Sequence, residues 1–313
     1  MAVAVAPPEP QAPPRAPWTA RTPAAAKLTD GLPRRRRRAG LWTRFCRNRA
    51  ALAGLLVLCT FLLVAIAAPL ETGYDPAETR LDETLREPSA QHALGTDQQG
   101  RDVLARLVYG GRFSLLIGFA AVGLGLAIGV PLGAISGFYG GWVDLSIQRI
   151  VDVLLSFPGF LLALTLVAVL GVGLENVILA VGLGVVPAFV RLVRASTLSI
   201  RYQAYVDAAR SYGASGPLII WRHVLPNALG PVVVQATLGL GSTLLTAAGL
   251  GFLGLGVQAP TPEWGSMLGE GRQYIFNSPN LATFPGVAIF LTVLGFNLAG
   301  DGLRDALDPT VDR

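Results

Sequence analysis

Charge is scarce in this chain. Only 14% of its 313 residues are Asp, Glu, Lys or Arg, against about 25% in ordinary soluble domains. With 52% hydrophobic residues, the composition excludes a water-soluble globule and fits a protein whose solvent is lipid. Cysteine is scarce too. Cys46 and Cys59 sit at the edge of and inside the first apolar run, where they read as small buried hydrophobes and not as a disulfide framework. The two histidines, His92 and His223, stand far apart with no acidic or cysteine cluster beside them, so no metal site is expected. No glycine-rich loop ends in Lys-Ser or Lys-Thr, which excludes a phosphate cradle of the P-loop kind. No constellation supports catalysis, so the chain is not expected to be an enzyme.

What is present is a set of long apolar runs. Ala50–Leu70, Phe113–Phe138, Val153–Gly171, Val177–Val190, Ala228–Val257 and Leu281–Gly300 carry no charged residue, and about 20 apolar residues suffice to cross a bilayer. The fourth is short and is expected to continue through Arg191 to Arg194, whose stems can snorkel. The expected fold class is therefore an all-α polytopic membrane protein with six transmembrane helices. The first run is too long and too internal for a removed signal peptide.

Basic residues orient it. With the N-terminus inside, inner segments hold nineteen of the 25 Lys and Arg, and the short-loop comparison of 191–226 against 259–280 is five to one. Both termini are then cytoplasmic. Residues 1–40, rich in Pro, Ala and Arg, cannot bury enough surface to order themselves. Their run Arg34–Arg38 reads as a topology anchor drawn to anionic membrane lipid, and no nucleic-acid partner is expected.

The runs also lack the ionisable groups that ion-coupled carriers keep in the membrane. They offer neutral polar side chains such as Thr165, Gln235, Thr237, Ser242, Thr243, Thr246 and Asn297. A path lined by Gln235, Thr237, Ser242, Thr243, Thr246 and Asn297 would need its energy from outside the bilayer. Span five, the richest in glycine, suits either close scaffold packing or a face toward a water-filled path.

The largest inner loop is 195–226. "RYQAYVDAARSYG" reads as a helix with Tyr202, Tyr205 and Ala209 on one face, and Gly213 stands where a left-handed C-terminal cap belongs. Gly216 and Pro217 break it, "LIIWRHVLP" can form a second short helix, and Pro226 suits the opening of span five. Ala208 and Ala209 allow close approach of another surface, with the Asp207 carboxylate beside them. The stretch is either an interfacial hairpin anchored by Trp221 and the tyrosines or a docking element for a cytosolic partner.

Elsewhere, Thr96 or Asp97 is placed to cap a helix starting near Gln98 and carrying Arg101, Arg106 and Arg112. It reads as an amphipathic entry helix or as a contact for an external protein. "GFYGGWVD" reads as a tight inner turn, Pro158 as a kink in span three, and Glu263, Trp264 and Glu270 as a surface turn and interfacial anchor or a substrate gate.

"DAARSYG" followed by "HVLP" resembles the Glu-Ala-Ala, three spacers, Gly signature of ATP-binding-cassette importer permeases, with Asp207 in place of the usual Glu. "HALGTDQQGRDVLARLVYGGRFSLLIGF", "GFYGGWVD", "DVLLSFPGFLLAL", "GFLGLGVQAPTPEWGSMLGEG" and "NLAGDGLRDALDP" extend the resemblance from about Leu41 to Pro309. They are similar to the peptide/nickel branch, and to its dipeptide and oligopeptide "C"-type subunits in particular. The resemblance implies a first helix with an external loop over 41–112 and a five-helix permease core over 113–304. The coupling loop lies within that core, and a cytoplasmic tail follows over 305–313. It implies that Tyr205, Asp207, Ala208, Ala209, Gly213, Arg222 and Pro226 couple to an ATPase. The implied partners are a homologous permease subunit, one or two ABC ATPase subunits and an extracytoplasmic solute-binding protein. ATP and Mg would be bound by the ATPases, with no cofactor in this chain. Nickel or another small solute in place of peptides, a secondary carrier or channel, and a structural scaffold are the alternatives.

Overall fold

The computed structural model describes residues 41–71 and 73–307. The predicted tail over 1–40 with its arginine run, and the chain from 308 onward, lie outside them. In order, the helices are α1 (Leu41–Arg47), α2 (Arg49–Glu71), α3 (Val103–Tyr139), α4 (Gly141–Leu155), α5 (Gly159–Leu170), α6 (Leu174–Ile200), α7 (Ala204–Ser211), α8 (Gly216–Ile219), α9 (Leu225–Phe252), α10 (Trp264–Gly271) and α11 (Asn280–Leu307). A π-helical turn, Ile220–Val224, joins α8 to α9. Among the described residues there is no strand, only the single bridge Thr96–Asp102.

Five helical runs are long and apolar enough to cross a membrane: α2, α3, α6, α8 with α9, and α11. The third predicted span, Val153–Gly171, is not one helix. Its residues divide between α4 and α5, which meet at 88°. The physical reason is local. Ser156 N closes α4 by donating to Asp152 O and Val153 O, and Pro158 both lacks an N–H and biases Phe157 away from helix. The expected kink is a complete break, and α5, with 12 residues, is only about 18 Å long.

The packing of α3 on α6 shows what the broken pair does. Ideal Cβ atoms built at Gly125, Gly129, Gly133 and Gly137 of α3 would meet Val185, Phe189, Val190 and Thr197 of α6 in that order. From the other helix, Gly182 meets Leu124 and Ala121. The two helices therefore run parallel, zipped by small residues four apart that let the backbones touch. Two parallel neighbours require the connecting chain to return across the bilayer, so α4 and α5 together make the sixth crossing.

Other expectations shift in detail. Span four does continue past Val190, to Ile200, but Arg194 is ion-paired instead of snorkelling freely. The helix expected from Gln98 begins at Val103, capped by Asp102, whose carboxylate accepts from Ala105 N at 2.7 Å. Asp97 instead closes a turn onto Gln99 N and Arg101 N. Cys46 is half-buried and Cys59 exposed, on a face of α2 turned away from the bundle. Glycines do make the "GFYGGWVD" turn: Gly140 and Gly141 adopt φ +67° and +55°, conformations that L residues rarely take.

Candidate functional site

The loop after α6 folds as a compact hairpin. Helix α7 ends in a Schellman cap: Ala214 N donates to Ala209 O and Gly213 N to Arg210 O, with Gly213 at φ +81°. Val206, Ile219 and Val224 are buried and pack with Phe138 of α3 and Ile200 of α6. Val206, which the sequence pattern did not single out, is the pivot of the hairpin. Tyr202 is not on the α7 face predicted for it. It precedes the helix, where the guanidinium of Arg201 stacks on its ring at 4.5 Å.

The remaining side chains point outward. Tyr205, Asp207, Ala208, Gly213, Arg222 and Pro226 are exposed, and Ala209 half-buried. Asp207 holds Arg210 at 3.3 Å within the helix, leaving most of its carboxylate in solvent. Tyr212 is 92% and Trp221 75% exposed, beside Leu218. The hairpin thus presents an apolar, aromatic face with one carboxylate and a stretch of bare backbone at Ala208. Pro226 lies in the first turn of α9, where its missing N–H costs least.

A polar clamp ties α6, from which this hairpin leaves, to α3 and α4. Arg194 of α6 forks onto Asp144 of α4, Nε to Oδ1 at 2.6 Å and Nη2 to Oδ2 at 2.7 Å, the strong bidentate arrangement. Ser136 of α3 also donates to Asp144, and Gln148 donates to Ser136 at 3.0 Å. Arg201 Nη1 donates to Gly137 O and Phe138 O at the end of α3, at 2.9 and 3.3 Å.

At the opposite end of α3, Glu263, Arg101 and Arg106, taken for parts of a surface turn and an entry helix, are buried, and Glu270 is half-buried. Glu270 Oε2 accepts from Arg101 Nη2 at 3.0 Å and Arg106 Nη2 at 3.1 Å, and both arginines are 1% exposed. Glu263 caps α10, accepting from Gly265 N, Ser266 N and Ser114 Oγ of α3. Burial pushes its carboxyl above the usual carboxylate range, opposed by these hydrogen bonds. Trp264 is buried as well, and its Nε1 donates to Leu107 O at 2.8 Å. The interfacial-anchor reading of Glu263 and Trp264 is corrected: α10 tucks back against α3, and the arginine pair at the start of α3 reaches its Glu270. His92 is not without acids either. Its Nδ1 lies 2.9 Å from Asp102 and its Nε2 3.4 Å from Glu83, partners brought by the folding of the external loop.

The candidate path residues do not form one lining. Ser242, Thr243 and Thr246 border a cleft of about 140 Å³ with Phe160 of α5 and Val181 of α6. Gln235 instead faces a groove of about 600 Å³ near Asn227 and Arg304. Thr243 is buried, and its hydroxyl donates to Gly239 O and Leu240 O. Thr237 and Thr246 likewise donate to carbonyls in their own helix, and Asn297 is exposed on α11 near Gly241.

Comparison with known proteins fits this geometry. The model of the binding-protein-dependent transport system inner membrane component matches residues 129–313. That of the N-terminal TM domain of oligopeptide transport permease C matches residues 37–88. The chain is 51% identical over 263 residues to the dipeptide transport system permease protein DppC of Alkalihalophilus pseudofirmus, covering 84% of this chain and 86% of that one. It is 47% identical over 270 residues to the glutathione transport system permease protein GsiD of Pectobacterium atrosepticum, covering 86% and 89%. An inward-facing structure of the MetNI methionine ABC transporter aligns with a TM-score of 0.52 at 25% identity, over 65% of this chain and 96% of that one. With six membrane crossings and a capped hairpin clamped to the bundle, the chain belongs to the binding-protein-dependent transport system inner membrane component family, the transmembrane permease subunits of ABC importers.

Proposed function

We propose that this chain is one of two homologous permease subunits of an importer for di- and oligopeptides, with both termini in the cytoplasm and the α7–α8 hairpin seated on an ATPase subunit. An extracytoplasmic binding protein delivers the substrate, and ATP and Mg are bound by one or two partner ATPases. The observation that carries the reading is the hairpin face. Tyr212 and Trp221 stand exposed on a capped, rigid element, and exposed aromatics rimmed by polar groups mark protein interaction sites. The excess of arginine in 191–226 supports the cytoplasmic side. The peptide substrates of DppC and GsiD support the substrate class. ATP-driven closure of the ATPases then moves the hairpin, and the attached helices alternate access to the path.

Asp207 tests it. Removing one partner of a partly buried charged hydrogen bond costs about 1.5–3 kcal/mol. Asp207→Asn should therefore weaken retention of the ATPases on the purified permease pair by one to two decades, and Asp207→Glu should retain them at least as well as the wild type. An exposed carboxylate with only Arg210 for company is worth little. Wild-type retention by Asp207→Asn would remove this carboxylate from the docking contact.

A further inference from the structure

The hairpin is attached to the bundle on two sides, and the two attachments are built differently. Toward α3, α4 and α6 the attachment is by backbone contact and polar bonds. The α3–α6 seam brings backbones together: a Cβ at Gly133 would lie 2.6 Å from Val190 O, and one at Gly137 2.8 Å from Arg194 O. The Asp144–Arg194 fork, tied to Ser136 and Gln148, binds α4 across that seam. Arg201 holds the last carbonyls of α3. Arg210 of the hairpin lies over the Phe138 ring at 5.4 Å.

Toward α9 the attachment is apolar: Ile220 and Leu225 pack with Ala134 of α3, Val193 of α6 and Val232 of α9. The chain enters through the π-turn Ile220–Val224, where Leu225 N reaches back to Ile220 O, a wider i→i+5 geometry that recurs at functional sites. Pro231 follows within the first two turns and lacks the donor that a helix interior uses. An open groove of about 630 Å³, lined by Val130, Pro131, Trp221, Leu225 and Leu229, runs along the contact between this foot of α9 and α3. A groove of about 600 Å³ lies between the same foot and Arg304 and Leu307 of α11.

We propose that the Asp144–Arg194 clamp makes α3, α4, α6 and the hairpin a single lever, and that hairpin motion is absorbed in the π-turn Ile220–Val224 at the foot of α9. Asp144 and Arg194 are thereby positioning residues for coupling, although neither lies on the hairpin. The inference rests on the coupling reading above and specifies which helices follow the ATPase directly. Ion-paired helices with touching backbones move together, whereas apolar side chains slide past one another and a helix that lacks a donor at Pro231 bends at lower cost.

Spin-label distances in the assembled transporter test it. Labels at Ser146 of α4 and Ser211 of the hairpin should keep their separation between the nucleotide-free and ATP-trapped states. Labels at Ser211 and Val233 of α9 should shift by several ångströms. Asp144→Asn should broaden and displace the first distance on ATP trapping, and the charge swap Asp144→Arg with Arg194→Asp should restore it. Equal shifts in both wild-type pairs would overturn the lever while leaving the hairpin as the coupling element. If ATP trapping shifts neither distance, the coupling reading itself falls. A first distance unaltered by Asp144→Asn would remove the clamp from the lever, and should that variant fail to assemble, the two wild-type distances still decide.

Discussion

Adding one methyl group at two glycines of the same helix should have opposite effects. Gly123 of α3 is exposed, and a Cβ there meets nothing within 4 Å. Gly133 lies on the seam with α6, where a Cβ would sit 2.6 Å from Val190 O, 2.9 Å from Val193 Cβ and 3.1 Å from Arg194 N. None of these is the mobile end of a side chain, so relief requires the helices to separate along the seam. In a helix interior, Gly→Ala gains roughly 0.5–1 kcal/mol when space permits. Overpacking costs about 1–3 kcal/mol. Gly123→Ala should therefore be slightly stabilising and Gly133→Ala destabilising, a gap of roughly 1.5–4 kcal/mol from those two ranges. At about 2–4 °C per kcal/mol for a protein of comparable size, the apparent melting temperatures of the detergent-purified protein should differ by roughly 3–16 °C. Gly125→Ala should fall between them, because its closest neighbour at 2.7 Å is a Val185 methyl that can rotate away. If Gly133→Ala melts at or above Gly123→Ala, backbone contact is not what holds α3 to α6, and the rigid seam is wrong.

At Gly213, φ is +81° with no atom within 4 Å of a built Cβ, so substitution costs backbone strain alone, about 1–2 kcal/mol for an L residue. Gly213→Val should abolish ATP-dependent uptake in a membrane-inserted protein, whereas Gly213→Asn, which tolerates this conformation, should keep it. Equal uptake by both variants would show that the cap is dispensable. Glu263 accepts through both carboxylate oxygens, so an amide NH2 in Glu263→Gln must face an N–H or lose a partner. Stability should drop by about 1–3 kcal/mol, read as a lower melting temperature, and an unchanged value would contradict the buried cap.

Local chemistry alone determined a good part of this protein. The apolar runs and the scarcity of charge placed it in the bilayer, and runs of about 20 residues suit spanning helices, which satisfy their own backbone hydrogen bonds in lipid. Gly213 was legible as a left-handed cap and Pro226 as a helix opener, since both follow from the covalent geometry of single residues. The resemblance carried by "DAARSYG" and the flanking motifs was also legible, because it is a pattern along the chain. Tertiary structure decided the rest. Periodicity cannot say that Arg194 meets Asp144, 50 residues away, or that Glu270 lies between Arg101 and Arg106, 169 and 164 residues distant. A charge reads locally as exposed until a distant partner compensates its burial. The run Val153–Gly171 looked like one span because hydropathy sums over a break that Pro158 and the packing of α4 on α6 impose. The glycines of α3 were visible one by one. That they face α6 in parallel register, and so require the broken pair to cross the membrane, emerged only when two helices were close enough for a missing Cβ to matter.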